Sequence, residues 1–176
     1  MFTRKLLRNS SRLQNLLTFS EQFDDAAWVK FLGISVTPDI TQNPVDDAIT
    51  ADTINASASN SHIVQNRNVT PSTTYTFSIW LRSVSDTFNL KLSRTNGVTW
   101  ATASLSPVLT LTTTWQRFSL TYTSGVGETI SGHIIGWEGR TPYLIPTTGS
   151  FYAWGAQLNE GETAYDYVQT GATAIL

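Results

Sequence analysis

Cysteine is absent from the 176-residue chain. Disulfides, thiolate metal sites and cysteine catalysis are therefore excluded. Charge is scarce as well, with Asp, Glu, Lys and Arg making up 14% of the residues. No apolar run approaches the ~20 residues of a membrane-spanning helix, so no membrane partner is expected, nor is a nucleic-acid partner. The basic N-terminus lacks a continuous apolar stretch of about 7–15 residues and a small-residue cleavage site, so a secretory signal is not expected. Histidine occurs twice, as His62 and His133. Each lies in a predicted strand with no His, Asp or Glu at metal-ligand spacing, which points to structural roles. No G-x-S-x-G elbow, G-x-G-x-x-G turn or Walker loop is present. The carboxylates of Asp24–Asp25 and of Asp46–Asp47 are sequence neighbours. On a strand such neighbours point apart, and in loops they are solvated or capping groups, so they make poor acid/base pairs. No catalytic set emerges, and neither an enzyme nor a cofactor is expected.

What the sequence does have is alternation. Residues 32–37, 48–55, 61–66, 74–82, 87–94, 115–123, 129–137 and 150–158 alternate apolar and polar, with weaker segments at 98–103 and 108–112. Turn signals such as RTNG, TSGVG and PTTGS separate them. Eight to ten short strands at this spacing predict an all-β, two-sheet antiparallel β-sandwich or jelly roll. Tyr75, Phe77, Ile79 and Leu81 form the clearest core stripe, leaving Thr76, Ser78, Trp80 and Arg82 on the other face. Phe118, Leu120 and Tyr122 are expected to point inward too. In residues 150–158, alternation puts Phe151, Ala153, Gly155 and Gln157 on one face and Tyr152, Trp154, Ala156 and Leu158 on the other. Helix is scarce, and residues 19–28 could make one turn with Ser20 as N-cap.

The net charge of −2 is unevenly spread. Arg4, Lys5, Arg8 and Arg12 stand in the first twelve residues with no acid among them. Residues 1–14 therefore separate as a basic N-terminal arm, or as a frayed terminus, ahead of a domain at 15–176. Trp80, Trp100, Trp137 and Tyr143 are the aromatics predicted off the main core stripe or beside loops. Three readings fit them: ordinary packing, a protein interface, or stacking on a sugar ring.

Asn15-Leu16-Leu17, Ser20-Glu21, Phe23 and Trp28 open the domain. Tyr152, Trp154-Gly155-Ala156-Gln157-Leu158, Glu160-Gly161 and Tyr167 close it, and PSTTYTFSIWL and TTWQRFSLTYT lie between. Together these resemble a jelly-roll module of tailed-bacteriophage virion proteins that is similar to the carbohydrate-binding modules of glycoside hydrolases. The resemblance implies that the N-L-L segment closes against the last strand, and that residues 152–158 form a central strand followed by a segment anchored by Tyr165 and Tyr167. In sugar-binding relatives an acid after the N-terminal Phe, here Asp24, and an acid in the last strand often hold calcium. Here the last strand offers Gln157, so no metal is expected. A short module with a basic arm resembles a capsid cement or decoration protein. That implies a virion location on the capsid surface, the major capsid protein as partner, a homotrimer at local symmetry axes, and contact through Arg4, Lys5, Leu6, Leu7, Arg8 and Arg12. The alternative is a glycan-binding module on a tail or capsid, with Trp80, Trp100, Trp137 or Tyr143 stacking on the sugar.

Overall fold

The computed structural model describes residues 13–58, 61–96, 102–136 and 148–176. Eleven strands follow one another among them: β1 (Val29–Phe31), β2 (Ile34–Gln42), β3 (Ile49–Ala56), β4 (His62–Asn68), β5 (Thr74–Ser83), β6 (Phe88–Thr95), β7 (Thr102–Leu105), β8 (Leu109–Leu111), β9 (Gln116–Thr123), β10 (Ile130–Gly136) and β11 (Gly149–Glu160). One sheet runs β1-β4-β10-β6-β7, with β8 also paired to β6, and the other runs β2-β3-β11-β5-β9. Every pairing is antiparallel. The two sheets enclose one core, the expected sandwich.

Alternation fixes which side faces in. Phe77, Ile79 and Leu81 of β5 meet Ile63 of β4, Leu90 and Leu92 of β6 and Ile135 of β10, all fully buried. Each such side chain contributes roughly 1.5–3 kcal/mol on burial. Leu120 and Tyr122 are buried as expected, and Phe118 is partly buried against the core.

The last strand departs from simple alternation. The pairing of β11 with β5 shifts register between Trp154 and Gln157. Gly155, in the left-handed region at φ 64°, is the turning point of this bulge. Phe151 and Ala153 face the core before it, and Ala156 and Leu158 face the core after it. The extra residue thus moves Ala156 and Leu158 to the face that strict alternation assigned to Gly155 and Gln157. Tyr152 and Trp154 remain on the outer face.

Residues 17–28 form turns and bends, not the helical turn expected at Ser20. Their polar groups are taken up elsewhere. Ser20 Oγ accepts from the Thr170 N–H at 2.8 Å, the Phe23 N–H donates to Asp52 Oδ2 at 2.8 Å, and Trp28 Nε1 donates to the Phe19 carbonyl at 2.9 Å. Leu17, Phe23 and Trp28 are thereby driven fully into the core. The expected closure of the N-L-L segment against the last strand is present: the Leu16 N–H donates to the Leu158 carbonyl, and the Ala156 N–H to that of Ser20. Asn15 is the clamp. Its Nδ2 donates to the carbonyls of Ala156 and Val168, both at 3.0 Å, and its Oδ1 accepts from the N–H groups of Leu17 and Leu158.

Candidate functional site

The outer face of the five-stranded sheet carries a groove whose floor is set by register. Tyr152 pairs with Arg82, and Trp154 with Trp80. Trp80 in turn pairs with Arg117 on β9. Paired residues share a face, so Trp154, Trp80 and Arg117 form one cross-strand row. Tyr152 and Arg82 begin the next row, which Trp115 extends two residues before Arg117.

Arg82 is the centre of the arrangement. Its guanidinium carbon lies 4.7 Å from the Tyr152 ring centroid and 5.1 Å from that of Trp115. Nη2 donates to Thr41 Oγ1 at 2.7 Å and Nη1 to the Thr113 carbonyl at 3.5 Å. Trp115 Nε1 donates to the Gln42 carbonyl at 3.1 Å. β2 and β9 are opposite edges of the sheet, so this bond joins the two edges over its outer face. The cavity left between them has a volume of about 490 Å³ and is bounded by Trp80, Arg82, Trp115, Thr113–Thr114 and the turn containing Gln42–Pro44 and Asp47. That is within the usual range of ligand pockets, roughly 300–1,000 Å³.

The rim and floor are braced. Asn43 organises the turn after β2: its Oδ1 accepts from the N–H groups of Val45 and Asp46, and its Nδ2 reaches Asp46 Oδ1 and Thr50 Oγ1. The Ala48 N–H first, then the Asn43 amide, hold the Asp46 carboxyl below its ordinary range. The same Thr50 Oγ1 receives Trp154 Nε1 at 3.0 Å. Trp154 packs on Tyr167 at 4.6 Å, and the Tyr167 hydroxyl donates to Glu21 Oε1 at 2.8 Å. Burial raises the Glu21 carboxyl and the Tyr167 hydroxyl above their ordinary values. Tyr165 and Tyr167 thus anchor the segment after β11 as the resemblance implied, Tyr165 through its backbone, whose N–H donates to Asn159 Oδ1 at 3.1 Å and whose carbonyl accepts from Gln157 Nε2 at 3.2 Å.

Arg117 sits beside Trp80, 5.9 Å from the ring centroid, and its Nη2 donates to Ser78 Oγ at 3.0 Å. Burial lowers its pKa, and the charges of Asp166 and Tyr167 act against that. Trp80 Nε1 and the Nε atoms of Arg82 and Arg117 are buried without a hydrogen-bond partner. Asp47, on the rim, is exposed. The groove thus offers flat aromatic faces and forked cationic donors.

Of the aromatics singled out from sequence, Trp80 lies in this groove. Trp100, Trp137 and Tyr143 lie outside the described residues, as do Arg4, Lys5, Leu6, Leu7, Arg8 and Arg12 of the arm. Sequence reasoning missed Arg82, Trp115, Tyr152, Trp154 and Arg117. Parity had placed Trp80 with Arg82 and Tyr152 with Trp154, but only the register of three strands brings the pairs together.

The remaining polar candidates are structural. His133 is fully buried, with Nε2 2.7 Å from the Tyr122 hydroxyl and its ring edge-on to Phe77. Burial pushes its pKa down to about 3. His62 stacks on Phe31 at 4.8 Å. Near Asp24, the Lys30 ammonium donates to the carbonyls of Asp24 and Asp25 at 2.8 and 2.7 Å, so this donor set does not suit a second cation. Gln157 is spent on the Tyr165 carbonyl and the Val168 N–H. Among the described residues no three His, Asp or Glu side chains converge on a metal-sized site.

A two-sheet jelly roll with an aromatic groove on one sheet is an architecture shared by lectin domains. The comparisons make the class specific. The family model described as "Carbohydrate binding domain" matches residues 17–142, and the chain belongs to that family. No curated protein matches the sequence. Among solved structures, the chain is similar to the CBM22-1 xylan-binding domain of Paenibacillus barcinonensis Xyn10C, at TM-score 0.61 and 12% identity over 88% of this chain and 100% of that one. It is similar to TmCBM61, solved with β-1,4-galactotriose, at TM-score 0.56 and 12% identity over 84% of this chain and 99% of that one. It is also similar to the enzymatically active domain of bacteriophage CBA120 tailspike protein 4, at TM-score 0.54 and 10% identity, covering 83% of this chain and 21% of that one. At such identities the likeness establishes the fold alone.

Proposed function

We propose that the protein binds glycan chains in the groove on the outer face of the five-stranded sheet, and acts by adhesion with no chemical step. The observation that carries this reading is the pair of rings Tyr152 and Trp115 against Arg82, with Trp80 lining the same cavity, in a chain of the carbohydrate-binding family. Sugar rings present C–H groups to the electron-rich face of an aromatic ring, and their hydroxyls find the amide and carbonyl groups of the rim. The xylan and galactotriose named for two similar structures support a polysaccharide ligand. A glycan array, followed by calorimetry on the hits, tests it. Trp115→Ala and Tyr152→Ala should each weaken binding about tenfold or more, by loss of a stacking face. Unchanged affinity in both variants would refute the groove as the site.

A second reading concerns setting. The tailspike likeness supports a phage virion, where the basic arm would grip the major capsid protein and a homotrimer would multiply weak contacts. Removing residues 1–14 should then abolish capsid decoration. Full decoration by the truncated chain would refute it.

A further inference from the structure

We infer that the groove selects glycans bearing carboxylate groups, recognised by the guanidinium groups of Arg82 and Arg117; the inference rests on the glycan-binding reading above. Three observations converge on it.

The first is unspent hydrogen-bonding capacity. An arginine has five N–H donors. Arg82 uses two, one of them at the long distance of 3.5 Å, and Arg117 uses one. The Nε of each is buried without a partner. Buried donors without partners carry a free-energy cost, and most proteins avoid it. Beyond those buried atoms, one N–H on each Nη of Arg82 is unused, and Arg82 borders the cavity, where a ligand can supply acceptors.

The second is unspent charge. Among the described residues the ion pair formed is Arg94 with Glu128, on the other sheet. No carboxylate of the described chain lies within ion-pair distance of Arg82 or Arg117, although the charge of Asp166 acts on Arg117 from farther away. Asp47, the acid on the groove rim, is exposed and makes no such pair. The chain as a whole is acidic, with 13 Asp and Glu against 11 Lys and Arg, so two unpaired arginines on one sheet face are a local feature and not a basic surface.

The third is geometry. Arg82 lies against two rings, which favour the cation over their faces, and it borders the cavity with one N–H of each Nη still unused. A guanidinium edge matches a planar carboxylate in a two-point hydrogen bond, and such charge-assisted bonds are the strong ones. An acidic sugar carries both complements on one ring: a C–H face for Trp115 or Tyr152 and a carboxylate at its rim for Arg82. Arg117, beside Trp80 in the adjacent row, is placed for the next acidic residue of a chain.

The test uses the full-length protein on an array of uronate-bearing and neutral oligosaccharides. It is followed by affinity electrophoresis, at physiological salt, in polygalacturonate, in the same polymer with its carboxyl groups reduced to alcohols, and in dextran sulfate. Acidic hits should dominate the array. Polygalacturonate should bind at least tenfold tighter than its reduced form. Arg82→Gln should remove that preference, and Arg82→Lys, which keeps the charge but loses the planar fork, should restore only part of it. Melting curves confirm that each variant is folded, and Arg117→Gln serves where Arg82→Gln is not. Equal binding of the reduced polymer, or an array lit by neutral sugars alone, overturns the inference while leaving the groove reading intact. Equal binding of dextran sulfate overturns it in favour of general polyanion attraction. An array with no hits overturns both.

Discussion

Replacing Gly155 with alanine probes fold and site at once. Gly155 has φ 64° at the bulge of β11. There an L-residue costs roughly 1–2 kcal/mol through its Cβ and the following carbonyl. The new Cβ would also stand 3.1 Å from Trp80 Cδ1 and 3.3 Å from Tyr167 Cε2, closer than comfortable packing, and overfilling of this kind costs about 1–3 kcal/mol. The sum, about 2–5 kcal/mol, is a large part of the roughly 5–15 kcal/mol that holds a domain folded, so the variant should fold but melt early. Because Trp80 must give way, the groove floor moves and glycan affinity should fall as well. Gly127→Ala separates the two contributions: Gly127 has φ 78° with nothing within 4 Å of the added carbon, so it carries only the backbone part. Urea unfolding followed by tryptophan fluorescence gives the stabilities, and glycan titration gives the affinities. A Gly155→Ala variant no less stable than Gly127→Ala would refute the packing argument, and unaltered binding would detach Trp80 from the site.

Two further outcomes concern the frame. His133, buried with a pKa near 3, stays neutral in the folded protein, while the unfolded chain protonates it below about 6.5. The stability linked to this group is therefore complete above pH 6.5 and is lost as pH falls toward 3, by up to ~5 kcal/mol. Urea midpoints across pH 3–7 should show this loss in the wild type and not in His133→Gln, and a common slope would count against it. Asn15→Ala strips partners from the carbonyls of Ala156 and Val168 and the N–H groups of Leu17 and Leu158. At least ~3 kcal/mol of stability should go, given the cost of each buried group left unpaired; a change below ~1 kcal/mol in the unfolding free energy would show that the two termini are not clamped there.

The sandwich was legible because burial in a two-layered fold has period two, and the core stripe Tyr75–Phe77–Ile79–Leu81 obeys it without interruption. Three places defeated that rule. β1 (Val29–Phe31) is too short for any periodicity. The bulge at Gly155 inserts one residue, which swaps the faces of Ala156 and Leu158. Residues 19–28 look like a capped helical turn, because Ser20 is a residue type favoured at helix N-caps. Their backbone is instead satisfied from far along the chain, by the Asp52 carboxylate for Phe23 and by the segment at Thr170 for Ser20. Local pattern cannot reveal a partner that lies 29 or 150 residues away.

The groove was only half legible, for the same reason. Looking for lone exposed aromatics selects Trp80, which lines the cavity, but it passes over Tyr152 and Trp154, whose alternating strand looks two-sided. It also leaves Arg82 as one polar residue of the outer strand face, with no partner in view. What brings these residues together is pairing: β11 lies between β3 and β5, so Tyr152 comes to stand beside Arg82, and on the far side of β5 the start of β9 adds Arg117 and, just before it, Trp115. Strand order is a global property, decided by how eleven strands divide between two layers, and no window of sequence contains it. The more telling sequence feature is the conjunction of Trp and Arg at positions two apart on one strand face, 80 with 82 and 115 with 117. In a chain with so little charge, arginines twice placed two residues from a tryptophan on one strand face build a surface of cations and rings, and the chain gives their Nε atoms no acceptor.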